Sequence, residues 1–199
     1  MPEAEVPDVE EIEEQSKTPF TKRIAQTTAL YAVILAIASL GGTNAMKEML
    51  LSQQQASNHW ARYQAKVIRE HNYKTEANRI ELLLAERGSA MSSEARAKAE
   101  KLLKHYKDEA KRFAAEKKDE IAPEARKHEA IRDRNQKKDP YFDFAEVLLQ
   151  ISIIMASVSI LAQARKVFYF SIALAVIGAF LTFNGYTLAF DIPFIGGGD

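Results

Sequence analysis

Residues 24–46 read IAQTTALYAVILAIASLGGTNAM, a run of 23 residues without one charged side chain. An α-helix rises about 1.5 Å per residue, so this run would extend about 34 Å as a helix. The hydrocarbon core of a bilayer is about 30 Å thick. The run therefore predicts a membrane-spanning helix, and we place this first span at residues 22–46.

Two stretches nearer the C-terminus have the same character. Residues 167–190 contain no charge over 24 positions and residues 147–164 contain none over 18, lengths of about 36 and 27 Å as helices. Aromatic side chains at 141, 142 and 144 can extend the shorter stretch through the membrane interface. We place the second span at 140–163 and the third at 166–190. Burial inside a soluble protein is the alternative, but the remaining residues are mostly charged and offer little apolar cover.

The charged side chains are concentrated between the first two spans. The chain has 27 Lys and Arg against 27 Asp and Glu, and 40 of these 54 charges lie in residues 47–146. This segregation excludes a single globular core, and the zero net charge excludes a nucleic-acid-binding protein driven by net charge. The chain contains no cysteine, which fits either side of a membrane.

Short basic flanks predict the orientation in the membrane. Lys22 and Arg23 abut the first span, and Arg165 and Lys166 lie between the second and third. Lys and Arg in short flanks remain on the cytoplasmic side. We therefore expect a cytoplasmic N-terminus, with residues 47–139 and the C-terminus periplasmic or extracellular.

The two ends of the chain are predicted to carry no fold. Residues 1–21 form an acidic tail, with seven acids among the first 14 residues, and such a composition favours disorder. That acidity and the length of the first apolar run argue against a cleaved signal peptide, although the small residues at 38–42 leave cleavage open. Residues 191–199 read as a flexible, glycine-rich tail.

The segment between the first two spans predicts a helical hairpin. Residues 47–87 contain no Pro or Gly and continue the first span without a stop signal. Arg87 and Gly88 predict a helix end, with the glycine in the left-handed C′ conformation. Ser92 or Ser93 can cap the returning helix, so we place the turn near 88–93.

The returning helix carries two prolines. Pro123 should kink or restart it, because proline removes a backbone hydrogen bond and clashes with the preceding turn. We expect the helix to end near Lys138, where Asp139 can cap the second span and Pro140 can occupy its first position. The predicted fold class is an all-α membrane protein with three transmembrane helices and a long antiparallel helical-hairpin, coiled-coil soluble arm between the first and second. We call residues 47–139 the arm.

The spans contain small residues at helical spacing and few polar ones. The small residues predict close helix contacts within the membrane; they are Thr28, Ala32 and Ala36 in the first span, Ser152, Ala156 and Ser159 in the second, and Ser171, Ala175 and Ala179 in the third. Glu146, Gln150 and Asn184 are the polar exceptions. Glu146 lies near the outer end of its span and can reach the interface. Gln150 and Asn184 could form hydrogen bonds between helices, so we favour helix packing over an ion path.

The sequence contains no arrangement that indicates catalysis, a cofactor or a metal. The four histidines, His59, His71, His105 and His128, form no metal-binding pair, and no cysteine can complete a zinc site. Solvated helix-face histidines are the favoured interpretation. We therefore predict no catalytic, cofactor-binding or metal-binding residues and no enzymatic activity.

The segment WARYQAK at 60–66 is unusually aromatic for a solvated arm. Trp60 and Tyr63 share one helix face, and with Gln64 and Lys66 they form our candidate interaction site. Residue 60 should lie level with about residues 120–128, where Ile121 is the only large apolar side chain. Because that partner is poor, we expect Trp60 and Tyr63 to face another subunit.

This segment, a leading hydrophobic helix, a charged helical region and two closing hydrophobic helices together resemble an uncharacterised bacterial membrane family. The family is known only as a domain of unknown function, and its W-x-x-Y-Q-A-K signature matches Trp60, Tyr63, Gln64, Ala65 and Lys66. The resemblance covers about residues 22–190. It implies a bacterial inner-membrane protein and no particular activity.

These observations lead to one main hypothesis and one alternative. The chain is expected to be a non-enzymatic, oligomeric scaffold or tether whose partners are the lipid bilayer and further copies of itself, without nucleic acid. The alternative is a channel or transport accessory subunit, with a pore formed by the oligomer and lined by Gln150, Ser157 or Asn184.

Overall fold

The computed structural model describes residues 19–193 and 195, and these residues form long helices. The four α-helices are α1 (Pro19–Arg87), α2 (Ser93–Glu116), α3 (Ala122–Leu161) and α4 (Arg165–Thr187). A 3₁₀ turn, Gly88–Ala90, follows α1, and one π-helical turn, Lys117–Ile121, joins α2 to α3. The described chain is all-helical.

Helix α1 is a single helix of 69 residues, so the prediction that 47–87 continues the first apolar stretch is confirmed. Its covered face recurs every seven residues, which is the spacing at which one side of a helix faces a neighbour. The positions on this face are Ile24, Tyr31, Ala38, Ala45, Ser52 and Ile80, which are buried, and His59, Lys66 and Tyr73, which are half-buried.

The turn after α1 begins where the sequence predicts a helix end, but its geometry differs. Helix α1 ends at Arg87, and Gly88 enters the 3₁₀ turn without a left-handed φ angle. The expected left-handed glycine is therefore wrong, because a 3₁₀ turn continues the right-handed winding. Ser92 is the N-cap of α2, as predicted, and its side chain accepts a hydrogen bond of 3.2 Å from the Ala95 N–H.

The π turn precedes Pro123, and the predicted interruption near this proline is confirmed. The Ala122 N–H donates to the carbonyl of Lys117, one residue farther back than in an α-helix. Phe113 is buried before the turn, and Ile121 and Ala125 are buried after it. A regular seven-residue pattern would place the position after the turn at 120. The π turn therefore accommodates one additional residue and keeps the apolar side chains on one face.

Pro140 lies inside α3, so the expectation that a helix ends near Lys138 and another begins at Pro140 is wrong. Buried side chains continue at intervals of seven through this point, at Asn135, Phe142 and Leu149. Proline has a helical φ, but it lacks the N–H that would bond to the carbonyl of Gln136 and its ring crowds that carbonyl. The packing on both sides of Pro140 therefore keeps the helix continuous.

The chain divides into two compact units, one comprising Met1–Glu48 with Arg134–Asp199 and the other Met49–Asp133. In the first unit, Phe142 is 1% exposed and occupies a space left by glycines. A Cβ atom on Gly41 would lie 2.5 Å from its ring, and one on Gly185 would lie 2.9 Å from it. The absence of these side chains lets α1 and α4 approach Phe142 of α3 closely.

The predicted small-residue contacts hold in α3 and α4. Ser152, Ala156 and Ser159 are fully buried, and Ser171 and Ala175 are also covered. Ala32 and Ala36 of the first span are exposed in the single chain, so the close contact predicted for them stays a prediction. The two alanines are four residues apart, and they do not lie on the face of α1 whose covered positions recur every seven residues.

Among the residues that the structure describes, three helical stretches are long and apolar enough to cross a membrane: Pro19–Ala90, Ser93–Leu161 and Arg165–Thr187.

Candidate functional site

The candidate site lies in the second unit, where side chains of α1 meet those of α2, the π turn and the first part of α3. Partner numbers fall as the α1 residue number rises, except that Lys66 and Glu70 pair with the adjacent residues Glu116 and Lys117. The pairs are Gln53 with Arg132, Trp60 with Glu129, Lys66 with Glu116, Glu70 with Lys117, and Glu81 with Lys107.

The W-x-x-Y-Q-A-K segment has two differently exposed sides. Trp60, Tyr63 and Lys66 follow one another at intervals of three residues on one helix face, and all three are half-buried. Gln64 is exposed and takes no part in the contacts of this face. The structure therefore brings together three of the four predicted interaction residues.

Two ion pairs form the centre of the site, and α1 supplies the lysine of one pair and the glutamate of the other. Lys66 Nζ lies 2.7 Å from a carboxylate oxygen of Glu116, and Lys117 Nζ lies 2.5 Å from Glu70. We call these four residues the polar seam. The side chains of Lys117 and Glu70 are 14% and 11% exposed, so this pair is largely removed from water. Because α1 supplies the cation in one pair and the acid in the other, the two pairs fix one register of the facing segments.

Aromatic rings flank the polar seam. Lys66 Nζ lies 4.8 Å from the ring centroid of Phe113, and Lys117 Nζ lies 5.4 Å from that of Tyr63. Phe113 stacks on Tyr73, with 5.6 Å between centroids. Each lysine thus contacts both a carboxylate and an aromatic face, which is the geometry of a cation–π interaction.

The acids of the polar seam are held in their charged form. Hydrogen bonds from Lys117 and Lys74 lower the pKa of Glu70. The hydrogen bond from Lys66 lowers the pKa of Glu116. Lys74 Nζ, one turn after Glu70 on the same helix, lies 2.7 Å from its carboxylate.

Trp60 has an intramolecular partner that the sequence argument did not identify. Its indole Nε1–H donates a hydrogen bond of 2.8 Å to Glu129, and its ring meets Tyr63 edge-on at 5.4 Å. The argument that the returning segment offers no suitable partner is therefore wrong, since the partners are polar rather than apolar. Contact of the two rings with another subunit stays a prediction.

Two histidines also depart from the expected solvated faces. The rings of His59 and His128 stack, with centroids 5.5 Å apart and planes inclined by 18°. Both are half-buried, and Nδ1 of His128 is buried without a hydrogen-bond partner among the described residues. The two histidines are 69 residues apart in the sequence, so no local motif predicts their contact. Within residues 19–193 and 195, no three His, Asp or Glu side chains converge as metal ligands.

In the first unit, the side-chain amide of Asn184 bonds to the backbone after α4. Its side chain is fully buried, donates 2.8 Å to the carbonyl of Phe190 and accepts 2.9 Å from the Phe190 N–H. Both halves of the amide are therefore occupied in holding the segment after α4. Gln150, by contrast, is exposed.

Sequence reasoning missed Glu70, Glu116, Lys117 and Glu129 as members of the site. Glu70 could have been found, because it lies seven residues after Tyr63 and seven before the buried Ala77. Glu116 directly precedes the π turn, Lys117 is its first residue and Glu129 lies beyond it, and all three pair with α1 residues far away in the sequence. Local spacing therefore does not predict their partners.

The described fold is that of an all-helical protein with three helices able to cross a membrane. The chain belongs to the family described as domain of unknown function DUF4337, which it matches over residues 20–188. No curated protein and no solved structure has detectable similarity to it.

Proposed function

We propose that this chain is a three-pass integral membrane protein of the bacterial inner membrane that acts as a non-enzymatic, oligomeric scaffold or tether. The arm forms an antiparallel helical hairpin outside the membrane and presents a coiled-coil surface there. The N-terminus and the 163–166 turn are cytoplasmic.

The membrane assignment is supported by the exposed surfaces of the apolar helices. Large apolar side chains of α1 and α4 remain exposed in the first unit, among them Leu30, Leu40, Val176 and Phe183. Contiguous apolar exposure on this scale is unfavourable in water and favourable in lipid.

The hairpin assignment is supported by one observation that carries the proposal: the paired residues from Gln53–Arg132 to Glu81–Lys107 change number in opposite directions. Such ordering is what two segments running antiparallel produce. Ion pairs and aromatic contacts, rather than a thick apolar core, hold these segments together. A surface of this kind is suited to protein contacts.

Topology is tested with reporters fused at single positions. A reporter that is active only in the cytoplasm should work at the N-terminus and beside Arg165, and should fail beside Gly88. Full activity beside Gly88 would contradict the orientation. A reporter that is active only in the periplasm, placed at the same three positions, is the control and should give the reverse pattern.

Self-association is tested on the full chain purified in several mild detergents. Light scattering should give a protein mass above that of one 22.4 kDa chain. A single-copy mass in all of the detergents would contradict the scaffold proposal.

A second candidate function, a pore within the oligomer, is favoured by one observation: Gln150 and Ser157 lie on the same exposed face of α3. Asn184, the third residue predicted to line such a pore, is buried and hydrogen-bonded within its own chain. Ion flux into proteoliposomes that disappears in the Gln150→Leu variant would support the pore, and absence of flux from the parent protein would contradict it.

A further inference from the structure

One face of α3 combines polar and apolar side chains that no described residue covers. Asp143, Gln150 and Ser157 follow one another at intervals of seven, and all three are exposed. We call them the polar stripe. Between them lie Val147, Ile154 and Leu161, which are 52%, 61% and 88% exposed. The six positions alternate by four and three residues, the spacing of a helix–helix contact.

Most other polar side chains of the three apolar helices have partners or lie near the ends of the predicted spans. Gln26, Thr43 and Asn44 are exposed, but they lie near the ends of the first span. Ser157 of the polar stripe donates a hydrogen bond of 3.0 Å to the carbonyl of Ile153. Ser152, Ser159, Ser171 and Thr182 are buried and donate to carbonyls of their own helices, and Asn184 is buried and paired. Gln150 makes no hydrogen bond to any described residue. It lies close to the middle of the predicted span 140–163.

An amide in this position is unfavourable against lipid. Polar side chains inside a membrane face protein or water rather than hydrocarbon, because lipid offers no hydrogen-bond partner. Given the proposed membrane function, on which this inference rests, the polar stripe requires a further protein surface.

We propose that this surface is the same face of a second copy, so that two chains associate along α3 through the polar stripe. A glutamine amide both donates and accepts hydrogen bonds, so two Gln150 side chains satisfy each other across a two-fold axis. Both copies have the same orientation in the membrane, so the axis runs along the membrane normal. Residues of the same number then meet: Gln150 with Gln150, and Ile154 with Ile154.

Asp143 marks the end of this contact. It lies seven residues from Gln150, about 10 Å along the helix and towards the boundary of the span. Two carboxylates facing each other repel, so Asp143 weakens the contact of two identical copies. A partner of different sequence with a basic side chain at this level would instead gain from Asp143.

The absence of cysteine in the natural sequence makes disulfide cross-linking a clean test. Single variants Gln150→Cys, Ile154→Cys and Ser157→Cys are oxidised in native membranes with copper phenanthroline and oxygen. A disulfide needs the two Cβ atoms about 3.5–4.5 Å apart. We expect each of the three variants to form a covalent dimer.

Ile151→Cys and Val158→Cys are the matched controls. They neighbour Gln150 and Ser157 at the same depth, are 40% and 42% exposed, and point about 100° away around the helix. We expect several-fold less dimer from them. Equal or stronger cross-linking at these controls would overturn the proposed face.

Light scattering in mild detergent separates this inference from the proposed function. An oligomer that cross-links at the controls but not at the polar stripe overturns the inference and leaves the scaffold standing. A single-copy mass without cross-linking at any position overturns both.

Two substitutions test the identity of the partner. Gln150→Leu should weaken the dimer about fivefold, the effect of one interhelical hydrogen bond. Asp143→Asn should strengthen it, because it removes the repulsion between two copies. A weaker dimer in Asp143→Asn would overturn the assignment to a second copy.

Discussion

At the scale of single residues, Phe142 shows how the apolar helices approach each other. Its ring occupies space that side chains on Gly41, Gly42 and Gly185 would fill, and Tyr186 meets it edge-on at 5.0 Å between centroids. The Tyr186 hydroxyl donates 3.0 Å to the carbonyl of Ile37. The glycines therefore act through the volume that they leave empty.

Gly41→Ala should destabilise the protein. The new Cβ would lie 2.5 Å from the Phe142 ring, and such overpacking costs about 1–3 kcal/mol. Gly88→Ala is the matched control, because nothing lies within 4 Å of its Cβ position. The control should change stability by no more than about 0.5 kcal/mol. Unfolding of the purified protein by denaturing detergent, followed by circular dichroism, measures both; an equal loss in the two variants would contradict the packing argument.

The polar seam should make stability depend on acid pH. The folded protein lowers the pKa of Glu70 and of Glu116, so their contribution is fully present above the ordinary glutamate pKa of about 4.3 and is lost as pH falls below it. Asp139 contributes a pH dependence of stability of the opposite sign, because burial away from water raises the pKa of its carboxyl group. We expect the melting temperature of the full chain to fall as the pH drops from about 5 to about 3.

The double variant Glu70→Gln, Glu116→Gln is the control for the pH dependence. It should melt at a lower temperature than the parent at pH 7 and should lose less on acidification. A variant that loses as much as the parent would show that other carboxylates carry the effect.

At the scale of elements, the π turn is the feature that keeps the buried side chains of α2 and α3 on one face. It carries one residue more than an α-helical path and precedes Pro123, which has no N–H to donate. Lys118, Asp119 and Glu120 within it are exposed, so the additional residue is accommodated on the solvent side.

Removing one residue from the π turn should therefore be tolerated. We expect the variant that lacks Lys118 and carries Pro123→Ala to form one α-helix across the turn and to melt near the parent. Deleting Lys127 in the same Pro123→Ala background rotates every later position by about 100°. This control should melt about 10 °C or more below the parent. Equal melting temperatures for the two deletions would contradict the register argument.

The sequence predicts those features of the elements that depend on neighbouring residues. The length of α1, its end at Arg87, the Ser92 cap and the interruption near Pro123 all follow from local chemistry. The continuity of α3 through Pro140 could not be predicted, because distant packing outweighs the local stop signal.

The candidate site was predicted only in part for a similar reason. Trp60, Tyr63 and Lys66 stand out as an aromatic and basic face of one helix. Their partners Glu129, Lys117 and Glu116 depend on the register of the returning segment. The π turn contributes one additional residue to that register, and no local sequence pattern predicts this residue.

At the scale of the whole molecule, the segment between α1 and α2 is the main departure from α-helix in the second unit. Residues 88–92 comprise the 3₁₀ turn and an extended approach to the cap, and Ser89 and Ala90 are exposed. Proteases require locally extended chain, and exposed turns provide it at low cost.

Limited proteolysis of spheroplasts should therefore cut first within 88–93. The two fragments should separate on a denaturing gel, and mass spectrometry should locate the new ends. Inside-out vesicles are the control and should be protected at this position. First cuts within 60–80 would contradict the continuity of α1.

The seven-residue recurrence along α1 restricts how relatives of this protein can differ in length. Insertion of one residue anywhere between Ile24 and Ile80 would turn all following side chains by about 100° and expose the covered face. Insertion of seven residues returns the following side chains to the covered face. Insertion of one residue does the same if a new π turn accommodates it. Gaps in an alignment of the family should therefore occur in sevens within this helix, and single-residue gaps should coincide with π turns like that at Lys117–Ile121.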